Sequence, residues 1–429
     1  MTVAANPLPR AVFLDPNDGC LTMARVLVRR GCEVHLMVAA ANAHMLSSRR
    51  THGRVLPDPR TDPQSWLTAL QEIAAAGGGV VICGSDAASE WVSAHRAVLP
   101  ESVRSFESAD GVHTALMDKY ELYQLAAEIG VRAPWMHRVS TRAELDALDR
   151  RITYPCVLKG ALGHRARAIL GHGTVQIDSR DDLMTKAGAL LEHEVPFLLT
   201  ELVPGDETAL EGAVTIRGRD GDYPLEYGRH KLRQWPPDYG VGSLTSSKAV
   251  PGTLAMNRRI LDHTGYFGIS SCETKRHAET GELYLIEINV RVPGSFGVAE
   301  ACGVDGSWRL YAVAAGLPLG PQPPQVDGRH SMLPDIEILA VRARIQAGDQ
   351  TWRDVLRSWR GTRDFGIVSI ADPGPALSML STMVRRRVTR IVRERWSRLR
   401  PRPASTPVVE VPPPVTQHTT DPTDARRSA

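Results

Sequence analysis

The 429-residue sequence predicts an α/β region followed by an α+β region: an open parallel sheet over residues 1–112, then antiparallel texture over residues 113–320. Three observations predict it. Short apolar runs alternate with helical patterns over the first 110 residues, a spacing that implies right-handed parallel crossovers. Farther on, strand-like runs are separated by glycine-bearing turns, which is antiparallel texture. The composition, 42% hydrophobic and 23% charged, is that of a globular chain long enough for two to three domains.

Taken in order, Ala11–Asp15 reads as a buried strand ending in the loop cluster Asp15-Pro16-Asn17-Asp18-Gly19. Leu21–Arg30 has a helical period closed by Gly31. Cys32–Val38 is a second strand, Pro63–Ala76 a helix, and Val80–Cys83 a third strand that ends in Gly84-Ser85-Asp86. Ligands favour the carboxyl ends of such strands. The fingerprints GxGxxG and GxxxxGK[ST] are both absent, which disfavours a Rossmann-type nicotinamide enzyme and a P-loop ATPase. One helix is expected from His113 to Ile129, another over Arg142–Asp149, then a strand at Cys156–Lys159. Glycines on both sides of Ala166–Leu170 suggest a hairpin there. Helix Asp181–Glu192, strand Phe197–Thr200 and further strands follow, to about residue 290. Residues 321–400 are expected to be a linker (Gly320–Gly328) and a basic helical extension (335–360 and 376–400), and 401–429 a disordered tail.

The net charge is +3, but residues 385–402 alone hold nine arginines and one glutamate. The rest of the chain is therefore acidic, and no nucleic-acid partner is expected. No apolar run reaches the ~18–20 residues of a spanning helix, and no secretory leader is expected at the N-terminus. Six scattered cysteines without zinc spacing suit buried thiols in a cytoplasmic protein. Leu377, Leu380, Val384, Val388, Ile391, Trp396 and Leu399 recur at helical spacing among arginines. Such a helix over 376–400 would either meet an anionic membrane or acidic partner, or pack on the protein itself. A homodimer is the expected assembly. Only six of the 51 basic residues are lysine, at 119, 159, 186, 231, 248 and 275. Where lysine is scarce, a retained one more often sits where arginine cannot replace it.

The chemistry concentrates in Glu287-Ile288-Asn289-Val290-Arg291. Strand alternation puts Glu287, Asn289, Arg291 and Leu285 on one face and Ile286 and Ile288 on the other. A carboxylate and an amide oxygen are hard donors suited to Mg²⁺. The turn Glu279-Thr280-Gly281 joins this strand to Ser271–Lys275, so a hairpin sets Glu273 opposite Glu287. Facing carboxylates repel unless a cation or a proton lies between them. In His230-Lys231-Leu232-Arg233-Gln234-Trp235, alternation also puts Lys231 and Arg233 on one face, a pair suited to a carboxylate or phosphate.

With these residues in order, residues 10–320 resemble the ATP-grasp superfamily, in particular its carboxylate–amine ligases and biotin-carboxylase-like ligases. The likeness rests on Asp118-Lys119 with Gly130-Val131-Arg132-Ala133-Pro134, on Tyr154–Lys159, on Leu199–Glu207, and on Glu273 with Glu287-Ile288-Asn289. It implies that ATP phosphorylates a carboxylate and that an amine attacks the acyl phosphate to form an amide, with ADP and phosphate released. Lys119 and Lys159 would hold the α and β phosphates, with His164 reaching phosphate from an atypical lid. The backbone of Glu201, Leu202 and Val203 would meet adenine, and Glu207 or Asp206 the ribose. Glu273, Glu287 and Asn289 would bind Mg²⁺, or Mn²⁺ in its place. Arg291 would stabilise the transferred phosphoryl group, and Lys231 and Arg233 would line the substrate side. The partners implied are a small-molecule carboxylate and an amine. Two alternatives share the fold: a carboxylase or phosphotransferase acting on another oxyanion, and a non-catalytic nucleotide-binding scaffold. The lid Gly160–Ala168 departs from the family's glycine- and serine-rich pattern, and Val290 stands where proline is common.

Overall fold

A computed structural model describes residues 7–108, 110–148, 151–160, 163–237 and 240–399. Contacts divide the chain into a unit ending at Met379 and another beginning at Leu380.

In the first unit, β1 (Ala11–Leu14), β2 (Val34–Ala39), β3 (His52–Leu56), β4 (Gly79–Cys83) and β5 (Val103–Arg104) form a parallel sheet in the order β3-β2-β1-β4-β5. Both faces are covered, as βαβ connections require. Phe13, Leu36 and Val80 pack on one side with Leu21 and Leu27, while Val12, Leu14 and Val81 pack on the other with Trp66 and Trp91. The predicted parallel sheet is therefore present, with two short strands, β3 and β5, that the pattern did not reveal.

The second sheet holds β6 (Met136–Val139), β7 (Cys156–Gly160), β8 (Thr174–Ile177) and β9 (Phe197–Glu201) in the antiparallel order β6-β9-β7-β8. Helices at 142–148, 163–170 and 180–192 cover one face through Leu145, Ala166, Leu183 and Leu190. The hairpin expected at Ala166–Leu170 is a helix, Gly163–Leu170. Its Arg-Ala-Arg-Ala-Ile-Leu run favours helix, Ala166 is fully buried against the sheet, and Gly171 ends it at φ +79°. The hairpin that does form pairs β7 with β8 around that helix.

The third sheet is β14-β13-β10-β11-β12-β15-β16, from β10 (Leu210–Arg217), β11 (Leu225–Trp235), β12 (Val241–Ser247), β13 (Gly268–Arg276), β14 (Leu283–Asn289), β15 (His330–Met332) and β16 (Thr362–Asp364). The boundary expected at residue 320 is not a boundary of this sheet, because β15 and β16 extend it beyond β12. Gly320–Gly328 is not a free tether either: Gln322 and Gln325 accept from the amides of Glu226 and Gly228. Three-residue strands carry too little period to be read from sequence.

The single helix expected over His113–Ile129 breaks at Asp118. The Asp118 carboxylate caps the second half by accepting from the amides of Tyr120 and Glu121. The break leaves Lys119 in the first turn of Lys119–Glu128.

A helix spans Gly374–Leu399, in which Leu377, Leu380 and Val384 are exposed. The remaining apolar positions of that pattern (Val388, Ile391, Trp396, Leu399), as side chains, and the tail 401–429 lie outside the described residues. Among the described residues no helix is long and apolar enough to cross a membrane, and all six cysteines are buried and unpaired.

Candidate active site

The second and third sheets enclose a cleft of about 280 Å³. One end is apolar, with Met136, Val157, Leu198, Leu202 and Val203, and the other is ionic. Glu201 ends β9 and Leu202 and Val203 follow it directly, so the chain crosses from one sheet to the other along the cleft wall. Lys119, Lys159, Lys231 and Lys275 all line the cleft. The two remaining lysines sit elsewhere, Lys186 on Asp182 and Lys248 beside Glu211.

The β13–β14 register sets Glu273 directly opposite Glu287, as expected from the hairpin. The repulsion between these acids is met by two lysines. Lys119 Nζ lies 3.2 Å from Glu287 Oε2, and Lys231 Nζ lies 3.0 Å from Glu273 Oε2. Asn289 donates its amide N–H to Glu287 at 3.0 Å. The Lys119 charge is the main cause that holds the Glu287 carboxyl down at about 2, against the opposing effect of burial. Lys159 has no ion pair among the described residues, and desolvation in the cleft, with the neighbouring Lys119 charge, pushes its ammonium below the usual lysine range.

A bulge between Glu273 and Thr274 changes which side chains reach this site. Ile286 lines the cleft beside Glu287, whereas Leu285 turns into the core with Ile288. Alternation alone put Leu285 on the site face, and an extra residue in one strand reverses that assignment.

A second irregularity separates Lys231 from Arg233. Lys231 faces the cleft, but Arg233 is 1% exposed and belongs to the opposite side of the sheet. There its guanidinium donates to Glu337, to Gln350 Oε1 at 3.2 Å and to Ser358 Oγ at 2.8 Å. Arg233 is therefore a buried structural cation and not a lining group of the cleft. Gln234, which the sequence did not single out, lines the cleft in its place.

Glu207 lies just beyond the cleft, in a hollow that shares Leu202 and Val203 with it. Asp206 lines the same hollow, and Glu207 pairs with Arg344 at 2.8 Å. The backbone of His164 is in the helix Gly163–Leu170, and its side chain lies outside the described residues. Arg291 continues past β14 and binds Asp86 Oδ1 at 2.7 Å. That contact places it at the carboxyl ends of the parallel sheet. Asn17 bridges the same ends by donating to the carbonyls of Gly84 and Val292, at 2.8 and 2.7 Å. The approach is close enough that a Cβ on Gly84 would sit 2.5 Å from the Asp15 carbonyl oxygen. The ionic end of the cleft thus lies along β14 from a second set of polar groups, at the strand ends where ligands of parallel sheets bind.

Glu273, Glu287 and Asn289 supply two carboxylates and an amide oxygen from adjacent strands, a hard donor set that fits a divalent cation with phosphate oxygens and water completing the shell. Among the described residues no cluster of three His, Cys, Asp or Glu side chains forms.

The folds of several solved structures superpose on this one. A N5-carboxyaminoimidazole ribonucleotide synthetase in complex with ADP matches with a TM-score of 0.59 at 15% identity, covering 76% of this chain and 82% of its own. Biotin carboxylase from Campylobacter jejuni with an ATP analogue matches with a TM-score of 0.58 at 15% identity, over 75% of this chain and 74% of its own. These are ATP-grasp proteins. The chain has the ATP-grasp fold. An L-amino acid ligase from Bacillus licheniformis matches with a TM-score of 0.54 at 15% identity, over 73% of this chain and 76% of its own. No protein-family model and no curated protein matches the sequence. In ATP-grasp terms the first sheet is the N-terminal α/β layer, and the cleft lies between the two lobes formed by the other sheets.

Proposed function

We propose that this chain is an ATP-dependent ligase that joins a small-molecule carboxylate to an amine through an acyl phosphate. The observation that carries this reading is the ionic end of the interlobe cleft: two facing glutamates, each held by a lysine, with a third lysine beside them that has no ion pair among the described residues. Without ligand each glutamate is met by a lysine and the third lysine leaves an excess of positive charge, which a polyphosphate would neutralise. Phosphate oxygens would take the ammonium groups of Lys119 and Lys159, Lys231 would turn to the substrate carboxylate, and oxygens of Glu273, Glu287 and Asn289 would hold Mg²⁺. Bound there, Mg²⁺ would neutralise charge on the transferred phosphoryl group. The apolar end at Met136, Val157 and Leu202 fits a flat base, with main-chain groups of Glu201–Val203 at its edge.

The carboxylate oxygen attacks the γ-phosphorus and ADP leaves. The amine then attacks the acyl carbon, and phosphate departs carrying the oxygen taken from the carboxylate. Positioning and electrostatic stabilisation supply most of the catalysis in such a transfer. Arg291, held by Asp86 at the strand ends of the N-terminal layer, would stabilise the transferred phosphoryl group of an acceptor bound there. The activities named for the ATP-grasp neighbours, a synthetase, a carboxylase and an amino-acid ligase, support this class of reaction.

Incubation with Mg·ATP and a panel of carboxylates and amines should give ADP only when both co-substrates are present. Absence of ADP with every pair, together with no nucleotide-induced rise in melting temperature, would rule the reading out.

A further inference from the structure

Gln234 is 2% exposed, and among the described residues neither its amide oxygen nor its amide nitrogen has a hydrogen-bond partner. It nevertheless forms part of the cleft wall, with Lys231 and Gly240. An enclosed amide without partners bears the full desolvation cost of each unmet group, and native proteins rarely leave one unmet. Here the arrangement is built. Regular alternation along β11 would pair Lys231 with Arg233 and turn Gln234 away from the cleft. The shifts at Lys231/Arg233 and Arg233/Gln234 reverse this. Glu337 holds Arg233 from behind and is itself fixed by the Ser243 hydroxyl at 2.7 Å and the Trp359 indole N–H at 2.8 Å. Bulges beside active sites commonly re-aim one side chain in this way.

The chemistry of the amide defines what it would meet. It offers a donor and an acceptor side by side and carries no charge. Phosphate oxygens, which only accept, would use half of it, and Lys119, Lys159 and Lys275 line the same cleft to serve them. A substituent that both donates and accepts uses all of it. A hydroxyl or carboxamide does so, whereas an ammonium only donates and would add positive charge beside Lys231. We propose that Gln234 is a specificity-determining residue of the carboxylate substrate, which carries a neutral donor–acceptor group near its carboxyl, as a hydroxy acid does. Lys231 takes the carboxylate and Gln234 the neighbouring hydroxyl. This rests on the ligase reading above.

A site built to hydrogen-bond a hydroxyl rejects the analogue that lacks it, because the analogue leaves the buried amide unpaired. The test measures hydroxamate formation with Mg·ATP and hydroxylamine, which traps an acyl phosphate, using matched acids: glycolate against acetate, lactate against propionate, 3-hydroxybutyrate against butyrate. Wild-type protein should favour the hydroxy member of at least one pair by about 100-fold or more in kcat/KM. Gln234→Leu should remove most of that preference, leave the affinity for a non-hydrolysable ATP analogue within about twofold, and melt no lower than wild type, since it deletes an unpaired buried amide. Equal use of both members by wild type, an unchanged preference in Gln234→Leu, or a loss confined to nucleotide affinity would each overturn the assignment. Hydroxamate from the unsubstituted acids alone would overturn it while sustaining the ligase reading, whereas no ADP and no hydroxamate from any acid would sink both.

Discussion

Replacing Glu287 by alanine should lower the rate of ADP formation by about 100- to 1000-fold or more, in the range seen when a group that stabilises developing charge is removed. The carboxylate lies at 3.2 Å from Lys119 and opposite Glu273, so its loss removes a proposed metal ligand and frees a lysine at once. These two effects separate in binding experiments. With Mg²⁺ chelated, nucleotide affinity in Glu287→Ala should be equal to or tighter than wild type, because Lys119 no longer has a competing partner. With Mg²⁺ present, the gain that wild type shows should largely vanish. An isothermal titration with and without metal reads both. The pH dependence follows from the same pair. Glu287 is held at about 2, below its ordinary 4.5, chiefly by Lys119. The pair's contribution to stability is therefore complete above about pH 4.5 and is lost as pH falls from there towards 2. A metal bound at neutral pH would compete with a lysine and not with a proton.

Arg233→Ala should be the most damaging change to the fold, costing about 3–5 kcal/mol in urea unfolding. It leaves Glu337, 1% exposed, as an uncompensated buried charge that still accepts from Ser243 and Trp359. Replacing both partners with apolar residues of similar volume, Arg233→Met with Glu337→Leu, should recover most of the loss, since the penalty comes from the unpaired charge. If Arg233→Ala unfolded at wild-type urea concentration but abolished turnover, the arginine would be acting in the cleft after all.

That arginine marks the limit of what alternation can reveal. Register errors of one residue move a side chain to the other face of a sheet, and two bulges do so here, one exchanging Gln234 for Arg233 and the other Ile286 for Leu285. Bulges depend on the partner strand and on packing behind the sheet, neither of which is written in a local pattern. The facing of Glu273 and Glu287 was legible because a short turn fixes the hairpin between them. The parallel sheet was legible because its strands, buried on both faces, are continuous apolar runs. Lysine scarcity, a feature of composition, pointed to four residues that do line one cleft. The helix at Gly163–Leu170 was misread because flanking glycines suggested turns, when alanines and arginines between them set the helix and its buried face set its place.

The central claim is that phosphate is transferred to the substrate carboxylate before the amine attacks. It is tested most directly by turnover with a carboxylate labelled in both oxygens with ¹⁸O and mass analysis of the phosphate released. The account predicts one ¹⁸O per phosphate, with the other retained in the amide. Phosphate without label, formed as fast as ADP in the presence of both substrates, would contradict it.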